Sequence, residues 1–172
     1  METRCRSAVT RFVSDILAGH DRRAFASGNA RIDGYFHQAV SQDVRRRYAT
    51  CYLLIERETQ VIAGFYTLAA SSVDLADVPE DLARRLPRYP TVPVILIGWL
   101  GRDRRFHGQR IGMRLLADAL GRVVSAPVAA HAICADPIDV DAAVFYRQNH
   151  FVELASGRFY LPVTTAQTLF SK

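Results

Sequence analysis

Ile97-Gly98-Trp99-Leu100-Gly101-Arg102-Asp103-Arg104-Arg105-Phe106-His107-Gly108-Gln109-Arg110-Ile111-Gly112 joins three patterns in one segment. An apolar run ends, a basic turn bearing glycines follows, and an amphipathic helix begins. The apolar run is Val94–Leu100, which suits a central strand buried on both faces. The helix is expected over Ile111–Val124, where Ile111, Leu115, Ala119, Leu120 and Val123 share one side. A helix start offers N–H groups with no partner of their own and the positive end of the helix dipole. Glycine lets an anion come close to the backbone. The segment therefore reads as an anion site made of main-chain donors and ringed by arginines. It has no GKS or GKT, which excludes a P-loop nucleotidase, and no GxGxxG, which leaves a dinucleotide fold poorly supported.

Outward from this segment, strand-like and helix-like stretches alternate, as in an α/β domain. A helix is expected from Asn29, its cap, to Val44, with Ile32, Phe36, Ala39 and Val40 as its apolar stripe. Strands Cys51–Glu56 and Val61–Ala69 should form a hairpin through Arg57–Gln60. Pro79–Leu86 reads as a short helix and Leu86–Pro93 as an extended connection. Val128–Cys134 reads as a strand, Ala142–Gln148 as a helix, and Phe151–Leu154 and Arg158–Val163 as closing strands. The last ten residues carry no motif.

The 172 residues suit a single domain spanning 1–172, and 49% are hydrophobic, enough for a sizeable core. No apolar run is long enough to span a membrane, and Met1–Thr10 lacks the apolar region of a secretory signal, so a cytoplasmic protein is expected. Cys5, Cys51 and Cys134 lie far apart, with no CxxC, and the histidines lack ligand spacing; no metal or disulfide framework is expected. The net charge is +5, and the bases are arginine except Lys172. They cluster at Arg45–Arg47, at Arg84, Arg85 and Arg88, and around Arg102–Arg114. Arginine suits bidentate phosphate contacts, so a polyphosphate ligand, a nucleic acid or both would explain the clusters.

Arg105-Phe106-His107-Gly108-Gln109-Arg110 resembles the acetyl-CoA signature of the GNAT acetyltransferase superfamily, R/Q-x-x-G-x-G/A, with Arg110 where glycine or alanine is usual. The resemblance extends over about residues 25–160 and narrows to one branch. Phe25-Ala26-Ser27-Gly28-Asn29 with Ile32-Asp33-Gly34-Tyr35-Phe36 is similar to the entry of that branch. So are Gly64-Phe65-Tyr66-Thr67-Leu68 with Ser72 and Val73, and Leu86-Pro87-Arg88-Tyr89-Pro90 with Val92 and Pro93. Ala142–Phe151 resembles A-x-x-F-Y-x-x-x-G-F, with His150 replacing glycine. The branch is the acetyltransferase toxins of bacterial toxin–antitoxin modules.

The resemblance implies a GNAT fold: a mostly antiparallel, mixed sheet flanked by helices, with a V-shaped splay between its two central strands. It implies transfer of acetyl from acetyl-CoA to the α-amine of an aminoacyl-tRNA, which blocks translation. Arg105, Phe106, His107, Gly108, Gln109, Arg110, Ile111 and Gly112 would hold the pyrophosphate. Trp99, Leu100 and Gly101 would lie along the pantetheine arm, with the Leu100 N–H as oxyanion donor. Tyr146 would protonate the departing thiolate. Asp136, Asp139 and Asp141 are candidates to position the amine, or plain turn residues. Arg45, Arg46, Arg84, Arg85 and Arg88 would meet tRNA phosphates. A homodimer and a ribbon-helix-helix antitoxin are the partners the branch implies. Two alternatives stand beside this reading: a GNAT enzyme acting on a protein N-terminus or a small amine, and a non-catalytic acyl-CoA sensor or RNA-binding module.

Overall fold

The structure is a computed structural model and describes residues 10–170; Cys5, Lys172 and most of the Met1–Thr10 segment lie outside them. One seven-stranded sheet organises the chain, in the order β1-β2-β3-β4-β5-β7-β6. Its strands are β1 Phe12–Ile16, β2 Thr50–Glu56, β3 Ile62–Asp74, β4 Thr91–Arg102, β5 Ala132–Ala135, β6 Val152–Glu153 and β7 Phe159–Pro162. Every neighbouring pair is antiparallel except β4 and β5, which are parallel.

Two layers cover the sheet. On one face, helix α4 (Ile111–Val124) lays Ile111, Leu115, Leu116 and Leu120 against Tyr66, Ile97 and Ile133, and α6 (Val163–Phe170) adds Ala166. The other face carries two separate clusters. Helix α1 (Ala30–Gly34) continues through a π-helical turn, Tyr35–Ala39, into α2 (Val40–Arg45). This rod packs Phe36 and Val40 on Leu53 and Phe65. Farther along the same face, the β3–β4 excursion with α3 (Glu80–Ala83) packs Leu82 and Leu86 near Val73, Val92 and Val94. Phe65 and Val73 fall on the same side of β3 because strand side chains alternate, so both clusters share the face opposite α4.

The expected helices over Ile111–Val124 and from an Asn29 cap are present, and Asn29 Oδ1 accepts from the N–H groups of Arg31 and Ile32 at 3.0 and 3.3 Å. Four expectations need correction. The strand expected over Val128–Cys134 begins only at Ala132, and Val128 is exposed in the loop before it. β3 and β4 run well past their expected ends, because the two pair with each other from Gly64 and Arg102 to Asp74 and Thr91. Helix α3 is shorter than expected and ends at Ala83. β1 and α6 were not foreseen. β1 is an edge strand with a single buried side chain, Phe12, and α6 owes its place to packing on α4 and not to any motif. Among the described residues no helix is long and apolar enough to cross a membrane.

Candidate active site

β4 and β5 pair only from Val94 and Ala132 to Ile97 and Ala135. β5 then ends, while β4 runs on through Gly98–Arg102, and the sheet parts between them. Opposite the parting, β4 places Gly98 and Trp99 where β3 has Thr67 alone, a β-bulge next to the site. The Trp99 N–H donates to Thr67 Oγ1 at 3.0 Å, and farther on the Asp103 N–H donates to the Ala63 carbonyl at 2.8 Å. Both point toward β3. Because N–H groups alternate along a strand, Leu100 turns its own N–H to the opposite side, into the parting. Gly101 is obligatory here for contact reasons: a Cβ would sit 2.6 Å from Ile32 and 2.9 Å from Phe65.

Two cavities meet at the parting. The larger, about 670 Å³, runs from Leu100 and Gly101 along His107, Gly108, Arg110, Ile111 and Gly112 to Phe145 and Tyr146. The smaller, about 370 Å³, is lined by Arg31, Leu96, Gly98, Trp99, Asp136 and Pro137. Ile32, Leu100, Ile138, Ala142 and Tyr146 line both. Neither Ile32 nor Ile138 was singled out in the sequence, since an aliphatic wall residue has no pattern that distinguishes it from core.

The basic turn forms the far end of the larger cavity. Gly108 has φ +78°, a left-handed conformation that glycine adopts freely. Arg110 is left-handed too, at φ 56° and ψ 32°, and caps α4 without a side-chain bond. The first-turn N–H groups of α4, from Ile111, Gly112 and Met113, therefore face the cavity as unpaired donors. Three residues expected at the site have side chains that turn away. Arg105 grips Asp103 with Nε–Oδ1 at 2.8 Å and Nη2–Oδ2 at 2.9 Å. Phe106 is buried against Phe12, and Gln109 accepts from Arg11 at 2.9 Å. Trp99 lines the smaller cavity, not the larger, and stacks on Tyr35 at 4.3 Å.

Asp103 is fully buried and ties this turn to the loop before α1. It accepts from the N–H groups of Ala26 and Arg105 as well as from the Arg105 guanidinium. Burial alone would raise its pKa; these hydrogen bonds outweigh burial and hold the carboxyl below its usual range. The sequence reading weighed the arginines of this turn and passed over the acid among them, although Asp two residues before Arg is a recognisable turn cap.

Tyr146 sits on α5 (Val140–Gln148), its ring packed edge-on against Phe145 and Phe151. Its hydroxyl makes no hydrogen bond with any described residue and borders both cavities. Burial, helped by the charge of Asp136, pushes its pKa well above the ordinary phenol value, so the proton stays in place at neutral pH. Asp136 is the one candidate acid in the smaller cavity, held by Arg158 at 2.8 and 3.1 Å. Asp139 instead caps α5 through the Ala142 N–H, and Asp141 lines the larger cavity. Arg45, Arg46, Arg84, Arg85 and Arg88 are all exposed and far from the turn in the chain. The first two end α2 and the others follow α3, so both groups stand on the face opposite α4, flanking the side on which Leu96 and Trp99 line the smaller cavity.

No family model matches the chain. A tRNA-acetylating toxin of Mycobacterium tuberculosis is 36% identical over 132 residues, covering 73% of this chain and 75% of its own length. The chain belongs to the tRNA-acetylating toxin family. A second relative of the tRNA-acetylating toxins, the "Probable toxin TacT" of Sinorhizobium fredii, is 28% identical over 161 residues, 87% of this chain and 89% of its own. The fold is shared with AtaT complexed with acetyl-methionyl-tRNAfMet, at a TM-score of 0.84, 24% identity, and coverage of 92% and 99%. AtaT has also been solved as AtaTR bound with AcCoA, at a TM-score of 0.81, 24% identity and coverage of 93% and 98%.

Proposed function

We propose that this chain transfers the acetyl group of acetyl-CoA to the α-amine of aminoacyl-tRNA, as a single catalytic domain, and so blocks translation. The observation that carries the reading is the meeting of two cavities at Leu100 and Tyr146. The larger ends on glycine-bearing backbone and an uncapped helix start, which fits a pyrophosphate. The smaller opens on the face flanked by the two arginine clusters, which fits a polyanion that carries the amine. Bound in the larger cavity, acetyl-CoA supplies a thioester.

The chain's own residues do the rest. The arginines and Asp136 bring the acceptor amine to the thioester carbonyl. An α-amine has a pKa of about 7.7–8.0, so an appreciable fraction is neutral at pH 7 and no strong base is needed. The Leu100 N–H donates to the carbonyl oxygen as it gains charge. The C–N bond forms, the C–S bond breaks, and Tyr146 gives its proton to the sulfur; the phenolate regains a proton from the ammonium through solvent. A raised phenol pKa makes that transfer uphill for isolated groups, so the geometry must place the hydroxyl on the departing sulfur.

The enzyme works in the cytoplasm, where charged tRNA is found, as a homodimer neutralised by a ribbon-helix-helix antitoxin. What supports an antitoxin is the family, in which AtaT has been solved with the C-terminus of its antitoxin AtaR (TM-score 0.81, 22% identity). A protein N-terminus or a small amine is less favoured as acceptor, because such cations gain nothing from flanking arginines. Purified protein given labelled acetyl-CoA should label total charged tRNA and not uncharged tRNA. Label on peptides or small amines, with none on charged tRNA, would overturn the reading.

A further inference from the structure

Most aromatic side chains of this protein are buried or half-buried. Among the described residues two are exposed, Tyr48 at 74% and Tyr89 at 71%. Each directly follows an arginine cluster: Arg45-Arg46-Arg47-Tyr48 closes the α2 end, and Arg84-Arg85-Leu86-Pro87-Arg88-Tyr89 closes the α3 excursion. Neither ring stacks on a neighbour, and neither hydroxyl makes a hydrogen bond with a described residue. Their placement is shared as well. Thr50 stands opposite Leu68, and Leu68 opposite Ile97, so Tyr48 leads into β2 near the level of Ile95 on β4. Tyr89 leads into β4 itself. Both lie on or beside the sheet face that carries α2 and α3, and the smaller cavity opens on that face between the two excursions.

We infer that Tyr48 and Tyr89 are stacking platforms for the unpaired nucleotides at the 3′ end of the acceptor RNA. This rests on the reading of the substrate as charged tRNA. The aminoacyl ester sits on the terminal, unpaired nucleotide. For its amine to enter the smaller cavity, single-stranded nucleotides must cross this face. A base outside a duplex exposes its flat face, and an exposed aromatic ring beside a cation covers it without regard to sequence. The arginines hold the phosphates, and the tyrosines hold the bases between them. A duplex end offers phosphates to the same arginines but has its bases already stacked.

The test is binding, with no acetyl-CoA present, of the full chain to two uncharged RNA hairpins. One ends in four unpaired 3′ nucleotides with 2-aminopurine at the penultimate position; the other is blunt. Wild type should quench the fluorophore. Tyr48→Ala and Tyr89→Ala should each weaken the overhang hairpin about five- to a hundredfold, while Tyr48→Phe and Tyr89→Phe stay within about twofold. Affinity for the blunt hairpin and for acetyl-CoA should not change in any variant, which also shows that the variants are folded. Equal binding of the alanine variants and wild type to the overhang would overturn the inference. So would an equal loss on both hairpins, a phenylalanine variant as weak as alanine, or a loss confined to antitoxin binding. Failure of wild type to label charged tRNA would defeat the substrate reading instead, and the hairpin result would still decide the stacking.

Discussion

Arg110 and His150 are the two places where the chain departs from the family patterns it otherwise follows, and both have left-handed backbone, at φ 56° and 69°. Glycine is usual there because a Cβ in that region costs about 1–2 kcal/mol. At His150 the reason is explicit. The Phe151 N–H bonds the Tyr146 carbonyl and the His150 N–H bonds the Arg147 carbonyl, a Schellman motif closing the catalytic helix. His150→Gly should therefore raise unfolding stability by about 1 kcal/mol, less the extra backbone freedom of glycine in the unfolded chain, read by denaturant titration; a loss of stability would show that the imidazole compensates for the strain. Tyr146→Phe keeps the ring and its aromatic contacts and removes one hydroxyl. It should lower kcat by about 10²–10⁴-fold and leave acetyl-CoA affinity within about twofold by calorimetry. Retention of most of kcat would remove Tyr146 from proton transfer. These residues were legible because their motif fixed their position. The directions of Arg105, Phe106 and Gln109 were not, because a turn motif spells backbone conformation and leaves each side chain to its nearest partner.

The elements bracketing the site were read well where one face repeats apolar residues. Helix α4 was found to the residue, since six of its side chains are buried on one stripe. The elements that failed are the ones whose shape comes from a partner. β5 is four residues long because only Ala132–Ala135 finds both β4 and β7, although the apolar pattern begins at Val128. The parting of β4 from β5, which makes the site, depends on where pairing stops and on the bulge at Gly98 and Trp99. Neither is a property of one strand's sequence. Asp103 shows how such an element is held. It joins β4, the turn and the segment before α1 through one buried carboxylate, so Asp103→Asn should cost about 2 kcal/mol and weaken acetyl-CoA binding together. Its folded pKa lies below the usual value, so its contribution is complete above about pH 4. It is lost as pH falls through the lower folded value. Urea titrations of wild type should therefore weaken below about pH 4, and the mutant should lack that component; parallel pH profiles would place the acid sensitivity elsewhere.

At the scale of the whole molecule, charge divides between the two faces that serve the two substrates. The turn at the start of α4 serves a compact pyrophosphate mostly through backbone, so it needs few free cations. The opposite face presents Arg45, Arg46, Arg84, Arg85 and Arg88 as exposed side chains. Arg84 reaches Glu80 at 2.5 Å, an exposed pair that contributes little and opens readily to a phosphate. Replacing these five in groups with glutamine should weaken tRNA binding and lower kcat/KM on charged tRNA. Acetyl-CoA affinity should barely change, because its site is built on separate elements. Each arginine that neutralises a phosphate releases counterions, so log K should fall with log salt, and each contact removed should flatten the slope by roughly one unit. Arginines that are merely solvated would change neither slope nor rate. A salt titration of wild type beside the grouped variants separates the two cases. Parallel lines of equal intercept would reduce both clusters to surface, leave the smaller cavity without a polyanion to flank it, and return a small or peptidic amine as the acceptor.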